Sequence, residues 1–175
     1  MFSTHQVIPT ASLFEILASQ NDIHSVDFGS LSFEGIDLSG KRFTGCRFSR
    51  SAFINSRMDG CRIRMCFFDF SRIEGSTFKN CDIQFSSFAG VRLDHADFSG
   101  SDLLHDNFNG ILCADSTFND SDLYNSRFVL ATLKNSTFQN CNLKKTMFYQ
   151  TIREQVSFKS SNTREALFMK GDSPE

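Results

Sequence analysis

Residues 76–90, STFKNCDIQFSSFAG, divide into three phrases of five: STFKN, CDIQF and SSFAG. Each opens on a small residue (Ser76, Cys81, Ser86) and carries a large apolar residue third (Phe78, Ile83, Phe88). Counted outward by fives, the third-position row runs unbroken from Ile23 to Phe148, twenty-six apolar positions in succession. With 40% hydrophobic residues overall, chance gives such a row a probability of roughly 10⁻¹⁰, so it is an internal repeat. Beyond Phe148 the row weakens to Arg153, Phe158, Thr163 and Phe168.

A period of five suits neither regular element. A helix turns about 100° per residue, so five residues drift by about 140° and smear the apolar set around the rod. A strand alternates faces, so an odd spacing throws successive apolar residues to opposite sides. A chain that turns a corner every five residues can bury them all, because each short side sends its middle residue to a common axis. The pattern therefore predicts short sides coiled into a solenoid.

The third position itself alternates. From Phe68 to Phe148 every second member is Phe, and those between are Ile73, Ile83, Leu93, Leu103, Cys113, Leu123, Leu133 and Leu143. A three-sided coil of fifteen residues would stack Phe on Leu. A four-sided coil of twenty stacks like on like, with rings near the strand spacing of about 4.8 Å. An even number of sides follows, and four is the simplest. First positions, mostly Ser, Cys, Ala, Thr or Val, fill gaps between the large rings. Fifth positions hold eight of the ten glycines and several asparagines (Asn55, Asn80, Asn125, Asn135, Asn140), which suits tight corners. Second and fourth positions carry most of the charge and should face water.

The phrases ADFSG (96–100), SDLLH (101–105), SDLYN (121–125) and CNLKK (141–145) resemble the pentapeptide-repeat family, whose loose consensus is A-(D/N)-(L/F)-x-x. The resemblance covers about residues 21–150, and is specific for fold. It implies an all-β solenoid, a right-handed four-sided parallel β-helix of about seven coils, the hand being carried over from the family. The expected divisions are an N-terminal cap over 1–20, the β-helix over 21–160 and a C-terminal cap or tail over 161–175.

The open ends of a solenoid need cover. Ser12 followed by Glu15 has capping-box spacing, with Leu13, Phe14, Ile16 and Leu17 behind it, so a short helix over 12–20 is expected to lie on the first coil. At the other end, Thr163 to Lys170 reads either as a helix stopped by Gly171 or as a last irregular coil in which Ala166 and Phe168 keep the register. Some members of the family dimerise through a C-terminal helix, so a homodimer through this tail stays open.

The net charge of −2, from 18 basic and 20 acidic residues, indicates neither a nucleic-acid-binding field nor a strongly anionic one, and no direct nucleic-acid binding is expected. No apolar run approaches the roughly 18–20 residues of a membrane span. The sequence starts without a secretory signal pattern, so a cytoplasmic location is expected, with signal-independent secretion open. Five of six cysteines (Cys46, Cys61, Cys66, Cys81, Cys141) fall on inward small-residue positions and Cys113 replaces a Leu, a spacing for buried reduced thiols rather than metal. The basic group Arg42, Arg47, Arg57, Arg62, Arg64 and Arg72 is spread over several sides and reads as solvated surface.

No catalytic constellation emerges. The histidines His5, His24, His95 and His105 sit near no candidate nucleophile, and no phosphate loop, HExxH or GxSxG is present. His95, beside Asp94 and one coil from Asp115, reads as an exposed corner residue rather than a metal ligand. No catalytic residue, cofactor or metal is assigned, and an enzyme is not expected.

What departs from the pattern is apolar residues at outward positions. Met65, Phe67, Phe70, Phe85, Leu104, His105 and Tyr124 fall on one side of the rod over about three coils. Such a patch marks a contact surface. The expected function is a non-enzymatic protein-binding scaffold acting through the outer surface of the rod. The resemblance adds two alternatives. One is a DNA-mimic-type modulator of type II topoisomerase (gyrase), giving quinolone or toxin resistance; its near-neutral charge and lack of inserted loops depart from that type. The other is a secreted bacterial effector.

Overall fold

The computed structural model describes residues 9–172, so His5, the first part of the expected N-terminal cap and the last three residues of the tail lie outside the described residues. From Asn21 onward the chain winds as a four-sided parallel β-helix with twenty residues per coil. Each residue pairs with the one twenty positions on, as in Ile63↔Ile83↔Leu103. We number the faces in the order the chain meets them. Face 1 is a five-stranded sheet of Asp22–His24, Arg42–Thr44, Arg62–Arg64, Asp82–Gln84 and Asp102–Leu104. Face 3 is a seven-stranded sheet running from Ser32–Glu34 to Ile152–Glu154. Faces 2 and 4 are joined between coils by single parallel bridges such as Phe67↔Ser87 and Thr77↔Asp97.

The bend is made at the fifth residue. Gly75, Asn80 and Phe85 have φ of 55°, 53° and 54°, in the left-handed region that Gly and Asn enter most cheaply. Between corners only three residues are extended, so the middle one points inward and its neighbours point out. Phe78, Ile83 and Phe88 are fully buried.

The like-on-like columns form as the alternation requires. On face 2, Phe68 stacks on Phe88 at 4.7 Å and Phe88 on Phe108 at 4.9 Å between ring centroids. On face 4, Phe78 stacks on Phe98 at 4.9 Å. The two columns meet edge to face across the axis, with Phe88 and Phe98 at 6.0 Å and 88°. Each buried ring contributes about 1.5–3 kcal/mol by leaving water, with aromatic geometry adding to it.

First-position residues satisfy the backbone as well as filling space. The hydroxyls of Ser51, Ser101, Ser121 and Ser126 each donate to the carbonyl twenty-three residues back, those of Phe28, Phe78, Phe98 and Leu103. The thiols of Cys61, Cys81 and Cys141 make the same contact with Leu38, Met58 and Phe118. All six cysteines are buried and free.

The ends differ from expectation in detail. The N-terminal helix is Thr10–Ser19, starting two residues before the expected 12–20, and its N-cap is Pro9 with no side-chain cap bond. Proline's fixed φ starts the helix there, which leaves Ser12 and Glu15 inside it. Leu13 and Leu17 are its buried residues, and Phe14 meets Phe33 edge to face at 5.9 Å. Among the described residues of the C-terminal tail only Thr163–Glu165 is helical, a single 3₁₀ turn. The chain then rejoins the coil through Met147↔Leu167, and Phe168 stacks on Phe148 at 5.2 Å. The alternative of a last irregular coil is the one the structure adopts.

Candidate protein-binding face

Three of the seven outward residues, Met65, Phe85 and His105, occupy the corner between faces 1 and 2 on successive coils. Phe85 and His105 stack with centroids 5.0 Å apart. Tyr124, on face 1, meets His105 edge to face at 5.5 Å. Asn125 Nδ2 and His105 Nδ1 are 2.9 Å apart, and Lys145 Nζ donates to the Tyr124 hydroxyl at 3.2 Å. The corner is thus a continuous ladder over five coils, apolar at Met65 and turning cationic at Lys145.

Phe67 lies on face 2, and Phe70 at the corner between faces 2 and 3. The Phe70 ring leans along the rod over Gly90, where a Cβ would come within 2.7 Å of it. Asp69, between them, accepts hydrogen bonds from the Ser87 hydroxyl and, at 3.1 Å, the Ala89 amide. Met65, Phe67, Phe70 and Phe85 are 54%, 49%, 66% and 59% exposed, whereas Leu104 and Tyr124 are half-buried. Face 2 with its two corners is therefore the apolar side, and Leu104 and Tyr124 form its margin on face 1.

A second exposed apolar group escaped the sequence reading. Leu112, Leu130 and Ile152 flank the corner between faces 2 and 3 nearer the C-terminus, with Tyr149 and Met169 beside them on face 2. A shallow hollow of about 400 Å³ there is lined by Val129, Tyr149, Gln150, Phe168, Met169 and Lys170. The same rule that selects Met65, an apolar residue at an outward position, would have found it.

Most of the arginine group is neutralised one coil away. Arg42, Arg47 and Arg57 bind Asp22, Asp27 and Asp37, each twenty residues earlier; Arg64 binds Asp82, and Arg72 pairs with Glu74. The Arg57 guanidinium beside Asp37, with help from Ser39, holds its carboxyl well below the usual carboxylate range. Asp82, Asp102 and Asp122 form a stacked column on face 1. Burial and its two like-charged neighbours raise the Asp102 carboxyl. Asp94, His95 and Asp115 are exposed and bring ligand-type atoms within 4.8 Å of one another. His95 Nδ1 already lies 2.7 Å from Asp94, and Asn135 donates to Asp115.

Against protein-family models, the sequence matches the pentapeptide repeat region over residues 26–108 and 91–168. The chain is a pentapeptide-repeat protein. None of the curated proteins compared matches it in sequence. Among solved structures, this pentapeptide-repeat protein is similar to QnrB1, a plasmid-mediated fluoroquinolone resistance protein, with a TM-score of 0.65 and 15% identity over 81% of this chain and 88% of that one. It also aligns with HetL, a pentapeptide repeat protein involved in heterocyst differentiation regulation in the cyanobacterium Nostoc sp. strain PCC 7120, at a TM-score of 0.42 and 11% identity over 95% of this chain and 99% of that one. At these identities the likeness concerns the fold alone. No helix among the described residues is long and apolar enough to cross a membrane.

Proposed function

We propose that this pentapeptide-repeat protein is a non-enzymatic binding scaffold that captures a protein partner on face 2 and its corner with face 1. One observation carries the reading. Met65, Phe70 and Phe85 sit at corners with φ of 51°, 60° and 54°, where a bulky residue costs about 1–2 kcal/mol relative to glycine, yet they are exposed and contribute little to the core. Gly45 and Gly90 make the same turns on adjoining coils. Large apolar residues held at such corners, with contacts along the corner but none in the core, point to a role at the surface. The test is affinity capture with the wild type and Phe85→Asp. Equal melting temperatures with loss of the captured partner support the reading, and an unaltered interaction profile overturns it.

A second reading, a DNA-mimic-type modulator of gyrase, is favoured by the stacked column Asp82, Asp102 and Asp122. Arg62 and Arg64 reach Asp82, which confines the uncompensated negative charge to two coils. A DNA supercoiling assay decides it: activity of gyrase unchanged by micromolar protein removes this reading. A homodimer through the C-terminal coil, where Leu167 and Met169 are exposed, belongs to the first reading, and sedimentation of the wild type against Met169→Asp tests it.

A further inference from the structure

Asp106 stands where the fold wants a donor. It occupies the inward first position on face 2, between Ser86 one coil before and Ser126 one coil after, and is completely buried. Ser126 donates its hydroxyl to the Leu103 carbonyl and Ser86 to that of Gln84. The equivalent carbonyls for Asp106 are those of Ile83 and Leu104, and a carboxylate has no proton to offer them. Asp106 Oδ1 accepts the Ser86 amide at 2.7 Å, while Oδ2 is buried without a hydrogen-bond partner.

Nothing nearby neutralises a charge there. The charged groups that act on it are Arg64 and Asp82, both from face 1. The Arg64 guanidinium is already held by the carboxylate and the carbonyl of Asp82. His105, the adjoining residue, is exposed and turned to Phe85 and Asn125. An ionised carboxylate so placed would be a buried and unpaired charge.

We propose that Asp106 is carried as a neutral carboxylic acid in the native core, and that loss of its proton loosens the seam between the fourth and fifth coils, a pH-sensitive release directly behind the Phe85–His105 stack. Burial pushes this carboxyl up to about 8, against the pull of the Ser86 amide and Arg64. The sign follows from linkage. Between the ordinary carboxylate range near 4 and about 8 the native state holds a proton that the unfolded chain has lost, so stability falls as pH rises through that window and levels off above it.

The experiment compares unfolding of the wild type, Asp106→Ser and Asp106→Asn from pH 5 to pH 9. Asn reproduces the shape and donor of the neutral acid, and carries the comparison if the Ser variant folds poorly. The expected result is a folding constant for wild type that declines relative to either variant by up to about tenfold per pH unit up to about pH 8, then runs parallel. Protection of the Ser86 amide from hydrogen exchange, relative to Asp106→Asn at each pH, should fall over the same range. Infrared difference spectra should show a protonated-carboxyl carbonyl band at pH 6 that Asp106→Asn lacks. A constant ratio of folding constants from pH 5 to pH 9, or the absence of that band, overturns the proposal.

Discussion

The guanidinium carbon of Arg153 lies 4.8 Å from the ring centroid of Phe168, over its face. Arg153 takes the inward third position on face 3 that Leu133 holds one coil earlier. Its side chain is only 14% exposed, and Nη2 reaches Asp172 at 3.4 Å. The arginine therefore closes the last coil: its stem continues the aliphatic column and its planar head covers the terminal ring. Arg153→Ala should cost about 1–2 kcal/mol and make residues 152–172 the first site of limited proteolysis. Arg153→Leu should be at least as stable as the wild type, because it removes a buried Nη1 without a partner and keeps the apolar stem. Thermal unfolding with timed proteolysis checks both variants, and a Leu variant that frays like Ala would show that the cation–π contact is essential.

At the corner between faces 1 and 2, Met65 follows Gly45 one coil later with the same left-handed backbone. Met65→Gly should therefore raise stability by about 1 kcal/mol, the strain relieved exceeding the loss of glycine's extra unfolded-state freedom. The same change should weaken capture of the partner. A gain in melting temperature with binding unchanged would place Met65 outside the binding surface.

The solenoid was open to sequence reasoning because its rule is local and repeated. Phe78, Ile83 and Phe88 each answer to one chemical demand at one position, and the alternation of Phe with Ile or Leu counts the sides. Other features answer to contacts twenty residues away. Arg42, Arg47 and Arg57 look like a basic surface until each is set against Asp22, Asp27 and Asp37 one coil before. Arg153 breaks the apolar row but not the coil, since Thr132 and Lys134 still pair with Ile152 and Glu154 and the backbone ladder holds the register whatever the side chain. Ser12 and Glu15 match a cap motif, but Pro9 sets the helix start first. The candidate face was partly legible: the exposed side chains at Met65, Phe67, Phe70 and Phe85 follow from the repeat, whereas the lean of Phe70 over Gly90 and the His105–Tyr124 contact depend on rotamers that the sequence does not specify. Asp106 escaped because the first-position rule concerns size, and aspartate is small; its missing partner is visible only in three dimensions.

The buried thiols give a direct check on the interior. Burial pushes Cys61 up to about 12 and Cys113 and Cys141 up to about 11, so little thiolate forms at these three at mildly alkaline pH. The Cys66 thiol lowers Cys46 instead, but all six side chains are buried out of reach of a reagent. The folded protein at pH 8 should resist iodoacetamide over a period in which the denatured, unreduced chain is alkylated at all six cysteines. Mass spectrometry reads both outcomes. Fewer than six sites in the denatured chain would reveal disulfides, and rapid native labelling would show that the coils open readily.

Cys113 is the short member of an otherwise aliphatic stretch of face 3, paired with Leu93 before it and Leu133 after it. Its thiol lies 3.4 Å from the Ser136 hydroxyl, which itself donates to the Lys134 carbonyl at 2.8 Å and does not need the sulfur. An open depression of about 310 Å³ lies on the outer side of this part of the face, where the outward residues Ala114 and Thr132 are small. Cys113→Leu should complete the column and raise stability by about 1 kcal/mol through added apolar burial. The opposing effect is overpacking, which costs about 1–3 kcal/mol where the surroundings have closed around the smaller residue. Denaturant unfolding separates the two: a higher midpoint at unchanged slope means that the column had room, and a lower one means that the fifth and sixth coils are already packed tightly around the cysteine.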